Sequence, residues 1–175
     1  MKTTILKFFT LSAAIFAFSN ISFGQGNTDS DNASVGARII DPITITNTAS
    51  MEFGNLLETG TEYTVVLGTE GTTIGDIRPT GLAGTIQSAG FDVTGESGAT
   101  YTITFPDYVI LNNGGTGSGN QMTLNNFTSS KTGNTGTLDS NSGNDSFTVG
   151  ASLTVKEVQN SGDYEGTFTV TVNYN

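Results

Sequence analysis

The sequence predicts an exported all-β protein, an antiparallel β-sandwich of the immunoglobulin-like type, with a small β-barrel as the alternative. Three observations predict it. No stretch of the mature chain has a convincing helical period, short runs of alternating apolar and polar residues recur, and the 23 glycines are spread through turn-like spacers. Seven or more such runs in about 150 residues are typical of a sandwich.

The first 24 residues are predicted to be a signal peptide. Lys2 and Lys7 give a charged start, Phe8–Phe18 is apolar, and the small residues Ser22 and Gly24 occupy the positions that a signal peptidase reads. The apolar run is too short to span a bilayer as a helix. We therefore expect cleavage after Gly24, no membrane span in the mature chain, and a location in the periplasm, at the cell surface or outside the cell.

The charge of the mature chain excludes one class of partner. The chain has 16 acidic and 6 basic residues, and Lys2 and Lys7 leave with the leader, so the mature charge is 4 − 16 = −12. Such a surface repels phosphate backbones, and we expect no nucleic-acid partner. The chain has no cysteine, so stability must come from the core and the backbone hydrogen bonds.

The mature chain is predicted to begin with a disordered tail, residues 25–32, which has no apolar residue to bury. Residues 33–175 are predicted to form one β-sandwich domain. Its expected strands are Ser34–Thr46 (one strand, or two joined at Pro42), Met51–Leu56, Tyr63–Leu67, Ala89–Thr94 paired with Tyr101–Phe105, Phe147–Val155 and Phe168–Tyr174.

The last two of these strands have the clearest pattern. From Phe147 to Val155 and from Phe168 to Tyr174, every second residue is apolar, and most of the residues between are Thr or Ser. Successive side chains of a strand point to opposite faces, so this pattern indicates one face on a core and one in water.

The residue types argue against catalysis. The chain has no histidine and no cysteine, which removes the usual general base, the thiol nucleophile and the common zinc ligands. A serine nucleophile would need Lys131 or Lys156 as its base, and both lie in surface-type segments. The acidic residues fall singly rather than in a pair suited to glycoside hydrolysis. We expect no enzymatic activity and no cofactor.

One segment has the composition of a calcium loop. Asp139–Asp145 places oxygen-bearing side chains at alternate positions but lacks the later bidentate glutamate. Asn, Ser and Gly are also the residues that a tight turn requires. We favour a plain turn and expect no metal site.

The C-terminus carries a family resemblance. Gly162–Tyr174 resembles the closing strand of spore-coat-U-type and chaperone–usher pilin subunits, which have a penultimate aromatic residue and a glycine about fourteen residues from the end. Together with Ala33–Ile45, Met51–Leu56 and Val149–Leu153, it makes the mature chain similar to the secreted bacterial family of domain of unknown function 4402. That family has no established activity, so the resemblance implies fold and export rather than function.

The pilin-like ending alone favours a surface or fimbria-like structural or adhesive subunit that binds itself or a related subunit by strand addition. The residues expected to form the partner-binding edge are Gly162, Phe168, Val170, Val172 and Tyr174. Pilins of this type donate an alternating N-terminal segment to a neighbour, whereas here residues 25–32 are polar and alternation begins at Ala33. Either Ala33–Ile39 is the donor, or the domain completes its own sheet and stays monomeric.

The alternative function is a monomeric secreted binding module whose ligand, for example a carbohydrate, is unknown. Carbohydrate sites usually expose aromatic side chains. The chain has no tryptophan, and most of its Phe and Tyr residues fall on expected core faces, so the sequence offers this alternative little positive support.

Export makes a prediction about the mature N-terminus. The intact mass of the protein recovered from the periplasm or medium should correspond to a chain that begins at Gln25, with or without cyclisation of that residue. A recovered mature form that retains Met1 would contradict cleavage after Gly24.

Overall fold

The computed structural model describes Gly26 and residues 28–175, and the predicted signal peptide lies outside the described residues. Two compact units divide the chain, Met1–Arg38 and Ile39–Asn175. In the first unit, residues 28–38 are exposed and form no helix or strand. The second unit contains every strand of the described chain. No helix among the described residues is long and apolar enough to cross a membrane.

Ten strands and two single-turn 3-10 helices make up the second unit. The strands are β1 Thr44–Ala49, β2 Tyr63–Leu67, β3 Thr73–Ile74, β4 Ala89–Thr94, β5 Thr100–Thr104, β6 Tyr108–Asn112, β7 Gln121–Ser129, β8 Thr135–Thr137, β9 Asn144–Val155 and β10 Thr171–Tyr174.

The strands form two antiparallel sheets that do not close into a barrel. The larger sheet has seven strands, in the order β1-β4-β9-β2-β3 with β7 and β6 added beside β9, and the smaller sheet has the order β10-β5-β8. This arrangement confirms the predicted all-β sandwich.

Strand β9 organises the larger sheet. Its first half pairs with β4 and its second half with β2, whereas β7 runs along its other edge. Gly150 lies where one partner gives way to the other, and a Cβ there would collide with the carbonyl oxygen of Leu67. The side chains of Phe147, Val149, Ala151, Leu153 and Val155 are all buried, as the alternation predicted. Ser152, on the opposite face, is also buried, with only 6% of its surface exposed, which the sequence did not indicate.

The core consists of two clusters, of which the first contains residues of both sheets. One lies under β10, β5 and the ends of β4 and β9 that face them, and includes Tyr101, Ile103, Phe147 and Val149. The other lies under β2, β7 and the second half of β9, and includes Val65, Leu124 and Leu153. Phe127 of β7 packs against both clusters and thereby joins them.

Several strand predictions need correction. The predicted strands Ala89–Thr94 and Tyr101–Phe105 do not pair with each other, because residues 95–99 cross from the larger to the smaller sheet. The first strand begins at Thr44 rather than Ser34. Met51–Leu56 forms only an isolated bridge from Glu52 to Gln87.

Asp145 of β9 is held by two side chains. Tyr101 Oη donates a hydrogen bond of 2.9 Å to Oδ2, and Lys131 Nζ lies 2.6 Å from Oδ1. Burial acts to raise the pKa of Asp145, but hydrogen bonds from Lys131, the Ser146 N–H and Tyr101 outweigh it, and the pKa lies below its usual value. Burial, reinforced by the Asp145 carboxylate, raises the pKa of Tyr101.

Leu153 and Thr154 are neighbours on opposite faces of β9, and substitutions at the two positions should have different effects on stability. Leu153→Ala should lower the free energy of unfolding by about 2–5 kcal/mol, because it removes buried methyl groups and leaves a cavity. Thr154→Ser should cost less than about 1 kcal/mol. Denaturant melts measure both, and the opposite order would place the strand one residue out of register.

The Asp145 contacts predict an acid-dependent loss of stability. A folded-state pKa below the unfolded value of about 3.9 means that the carboxylate stabilises the fold above that pH, and that this stabilisation is lost as pH falls through the folded pKa. Asp145→Asn should therefore cost about 1–3 kcal/mol at pH 7, and the difference from wild type should shrink towards pH 3. Asp163→Asn, which changes an exposed carboxylate, is the matched control. An unchanged difference across the pH range would contradict this role.

Candidate functional site: the C-terminal edge

The segment predicted to bind a partner forms one edge of the smaller sheet. Thr171–Tyr174 pairs with Thr104–Tyr101 of β5, and no other strand of the described chain pairs with β10. In the larger sheet, β1 pairs with β4 alone. One strand at an edge of each sheet therefore has an open side.

The side chains of this segment alternate as predicted. Phe168, Val170, Val172 and Tyr174 point into the first core cluster, and the residues between them are exposed. Phe168 lies between two other aromatic rings, with its centroid 6.3 Å from that of Phe91 and 5.0 Å from that of Phe127. The apolar side chains thus fix the face of the segment, and its backbone edge is the part available for strand addition.

The hydrogen-bonded ladder of β10 with β5 is shorter than the stretch of alternating residues. It begins at Thr171, so the part of the predicted strand before it, Phe168–Val170, is not paired. Continuing the register of Thr171 with Thr104 would place Thr169 opposite Pro106. Proline has no N–H to donate, which explains the end of the ladder. Residues 166–170 make no backbone hydrogen bond to the rest of the described chain.

Gly162 lies apart from this edge. It occupies an exposed bend at φ 147°, in the region that favours glycine, and a Cβ there would meet the side chain of Asn113. The structure therefore brings Phe168, Val170, Val172 and Tyr174 together but does not place Gly162 with them. The assignment of these residues to partner binding remains a prediction.

Tyr174 fixes the start of β1 to the end of β10. Its hydroxyl donates to the carbonyl of Asp41 at 2.8 Å and accepts from the N–H of Glu96 at 2.6 Å. A Cβ at Gly95 would collide with this hydroxyl. The sequence did not indicate this arrangement, because the partners of Tyr174 are backbone groups, which leave no signature in the residue types.

The end of β10 lies close to the residues that precede β1, so the two edge strands are neighbours there. The partly buried side chains of Ile43 and Ile45 pack on the same cluster as Val170 and Val172. An added strand at this edge would extend the same apolar layer. Arg38, just before this region, has an interaction of its own and is not a free charge.

The Asp139–Asp145 segment forms a tight turn between β8 and β9. Asp139 Oδ1 accepts hydrogen bonds from the N–H groups of Asn141 and Ser142 and from the Ser142 hydroxyl. The backbone hydrogen bonds from Ser142 and Asn141 hold the pKa of Asp139 below its usual value. This is the turn chemistry that the sequence favoured, and the absence of a metal remains an expectation.

The comparisons with known proteins agree with the sequence on the family. A family model described as domain of unknown function (DUF4402) matches residues 43–174, which is most of the chain. No curated protein and no solved structure matches the chain significantly. The similarity to spore-coat-U-type and pilin subunits remains an interpretation of the C-terminal sequence. The chain belongs to the DUF4402 family.

Proposed function

We propose that this protein is an exported structural subunit of a surface fibre or layer, without catalytic activity, which assembles with further copies by β-strand addition. The observation that carries the proposal is an alternating apolar segment in water. Val35 is 97% exposed and Ile39 is 98% exposed, with Ala37 midway between them. Exposed apolar side chains at alternate positions of an extended chain are suited to pairing with a sheet edge.

The acceptor is the backbone edge of Phe168–Tyr174. Its ladder partner on one side is β5 for Thr171–Tyr174, and the preceding residues are unpaired. Unpaired N–H and C=O groups along an edge form a template for another strand. Addition of a strand there would bury Val35, Ala37 and Ile39 beside the inward row of Val170 and Val172.

The two segments match in length. Ala33–Ile39 and Phe168–Tyr174 each have seven residues, about 23 Å in extended form. Their central residues are Gly36 and Thr171, and each is flanked on both sides by apolar residues. When the two centres align, Gly36 and Thr171 lie side by side on the outer face, whether the strands run parallel or antiparallel.

Charged substitutions in the donor test the assembly. Val35→Asp combined with Ile39→Asp should abolish oligomers of the mature protein, because a carboxylate cannot replace an apolar side chain against the core. The free energy of unfolding should change by less than about 0.5 kcal/mol, since both positions are exposed. Leu82→Asp, at another exposed apolar position, is the matched control and should still assemble.

Sedimentation velocity over a range of concentrations gives the oligomeric state, and denaturant melts give the stability. A mature wild-type protein that stays monomeric at millimolar concentration would contradict the proposal. So would a doubly substituted protein that unfolds, because Ala33–Ile39 would then be part of the domain's own core.

Cysteine cross-linking tests the acceptor, because the chain has no cysteine of its own. A Gly36→Cys copy mixed with a Thr171→Cys copy should form a disulfide-linked heterodimer, identified by mass. A Thr137→Cys copy, on the opposite edge strand of the same sheet, is the control and should not cross-link. Cross-linking to Thr137→Cys instead would move the acceptor to β8.

A further inference from the structure

The outer face of the larger sheet carries two straight rows of uncharged side chains. The strand registers place five residues in one row across β6, β7, β9, β2 and β3, and four in the next. Four strand spacings make the longer row about 19 Å, and the rows lie about 7 Å apart. The rows are Tyr108–Asn125–Ser152–Val66–Ile74 and Ile110–Thr123–Thr154–Thr64.

These rows form a trough with apolar side chains at its sides. On one side, Tyr108 is 62% exposed and Ile110 is 40% exposed. On the other, Val66 is 42% and Ile74 is 74% exposed at the end of the longer row, and Thr64 ends the shorter row. Between them the side chains are small and lower, and Ser152 at the centre is only 6% exposed. The tall side chains stand on β6, β2 and β3, whereas β7 and β9 supply the floor.

The floor offers hydrogen-bonding groups that the protein itself does not use. Thr123, Asn125 and Thr154 are half-buried and make no side-chain hydrogen bond to the described chain, and Ser152 lies buried between them. Other asparagines behave differently: Asn47, for example, donates to the carbonyl oxygens of Ala49 and Gly90. Hydroxyl and amide groups both donate and accept, so the floor can bind a ligand that carries hydroxyls.

We propose that this trough binds a neutral glycan chain. Apolar walls pack against the C–H faces of sugar rings, and the floor donates to and accepts from the ring hydroxyls. Sites of this kind combine apolar side chains with a few convergent polar groups. The ligand is uncharged because the trough contains no ionic side chain and the mature protein carries a charge of 4 − 16 = −12.

The trough is distinct from the assembly edge. The edge lies in the smaller sheet and at β1, whereas the trough uses the outward side chains of β6, β7, β9, β2 and β3. The proposed glycan site therefore does not depend on strand addition, and an assembled protein would display it on every subunit. Its exposed aromatic residue is Tyr108, which lies in a strand that the sequence did not predict.

Calorimetric titration with neutral hexasaccharides tests the proposal. The probes are cellohexaose, maltohexaose and N-acetylchitohexaose, with a galacturonic acid hexamer as the anionic comparison. At least one neutral probe should bind, and the anionic probe should not. Tyr108→Ala and Asn125→Ala should each weaken that binding by about tenfold, as the loss of an important contact does. Melting curves establish that both variants fold.

Two controls separate the trough from the rest of the surface. Tyr108→Phe keeps the ring, and its hydroxyl has no partner in the described chain, so binding should stay within about twofold of wild type. Leu82→Ala removes an exposed apolar side chain elsewhere and should leave binding unchanged.

The remaining outcomes would overturn the proposal. These are no binding of any neutral probe at millimolar concentration, equal binding of the anionic hexamer, and binding that Tyr108→Ala and Asn125→Ala leave intact. Loss of oligomers in Tyr108→Ala, measured by sedimentation, would instead make the trough a contact between copies.

Discussion

The backbone hydrogen bonds of β9 are the interaction on which the rest of the structure depends. This twelve-residue strand pairs with β4, β2 and β7 and so joins three parts of the larger sheet. Its apolar side chains enter both core clusters. In a chain without cysteine, no covalent link can take over this role. A substitution that disturbs β9 therefore loosens both halves of the sandwich at once.

The same requirement for backbone pairing shows where the sheets have open edges. A central strand satisfies its N–H and C=O groups on both sides, but β1 and β10 each have a neighbour on one side within the described chain. Pro106 leaves further backbone groups unpaired, because the ladder of β10 with β5 stops at Thr171 and does not include Val170. An edge with inward apolar residues and free backbone groups is prone to pair with another chain. The exposed alternating segment in the same chain is the reason why the proposed partner is a second copy.

Much of the fold could be predicted because a strand with one buried face has alternating apolar and polar residues in its sequence. β2, β4 and β9 were identified from short runs with one apolar face, and the inward residues of the C-terminal segment were assigned correctly. The pairing of strands was not predictable in the same way. β4 and β5 are close in sequence but belong to different sheets, because their partners lie far along the chain.

Four strands, β3, β6, β7 and β8, escaped prediction, and for the longer two, β6 and β7, the reasons are local. β6 has a run of apolar residues on both faces, from Tyr108 to Leu111, so periodicity cannot show which side is exposed. In β7 the register shifts between Asn125 and Thr128, and Asn126 has a positive φ of 51°, which interrupts the alternation. These are the strands that contribute Tyr108 and Asn125 to the trough, so the sequence could not reveal it.

The two proposed surfaces make different demands on the fold. Strand addition uses backbone groups, which every residue carries, so the edge tolerates change in its outward side chains as long as the inward ones still pack. The trough depends on the identity of side chains at fixed cross-strand positions, and its geometry comes from the registers of β6, β7, β9 and β2. Because β9 supplies part of the trough floor and also packs against the cluster beneath β10, it supports both surfaces. An assembly built through the edge would repeat the trough at regular intervals, and weak single-site binding to a long glycan would then gain from multivalency.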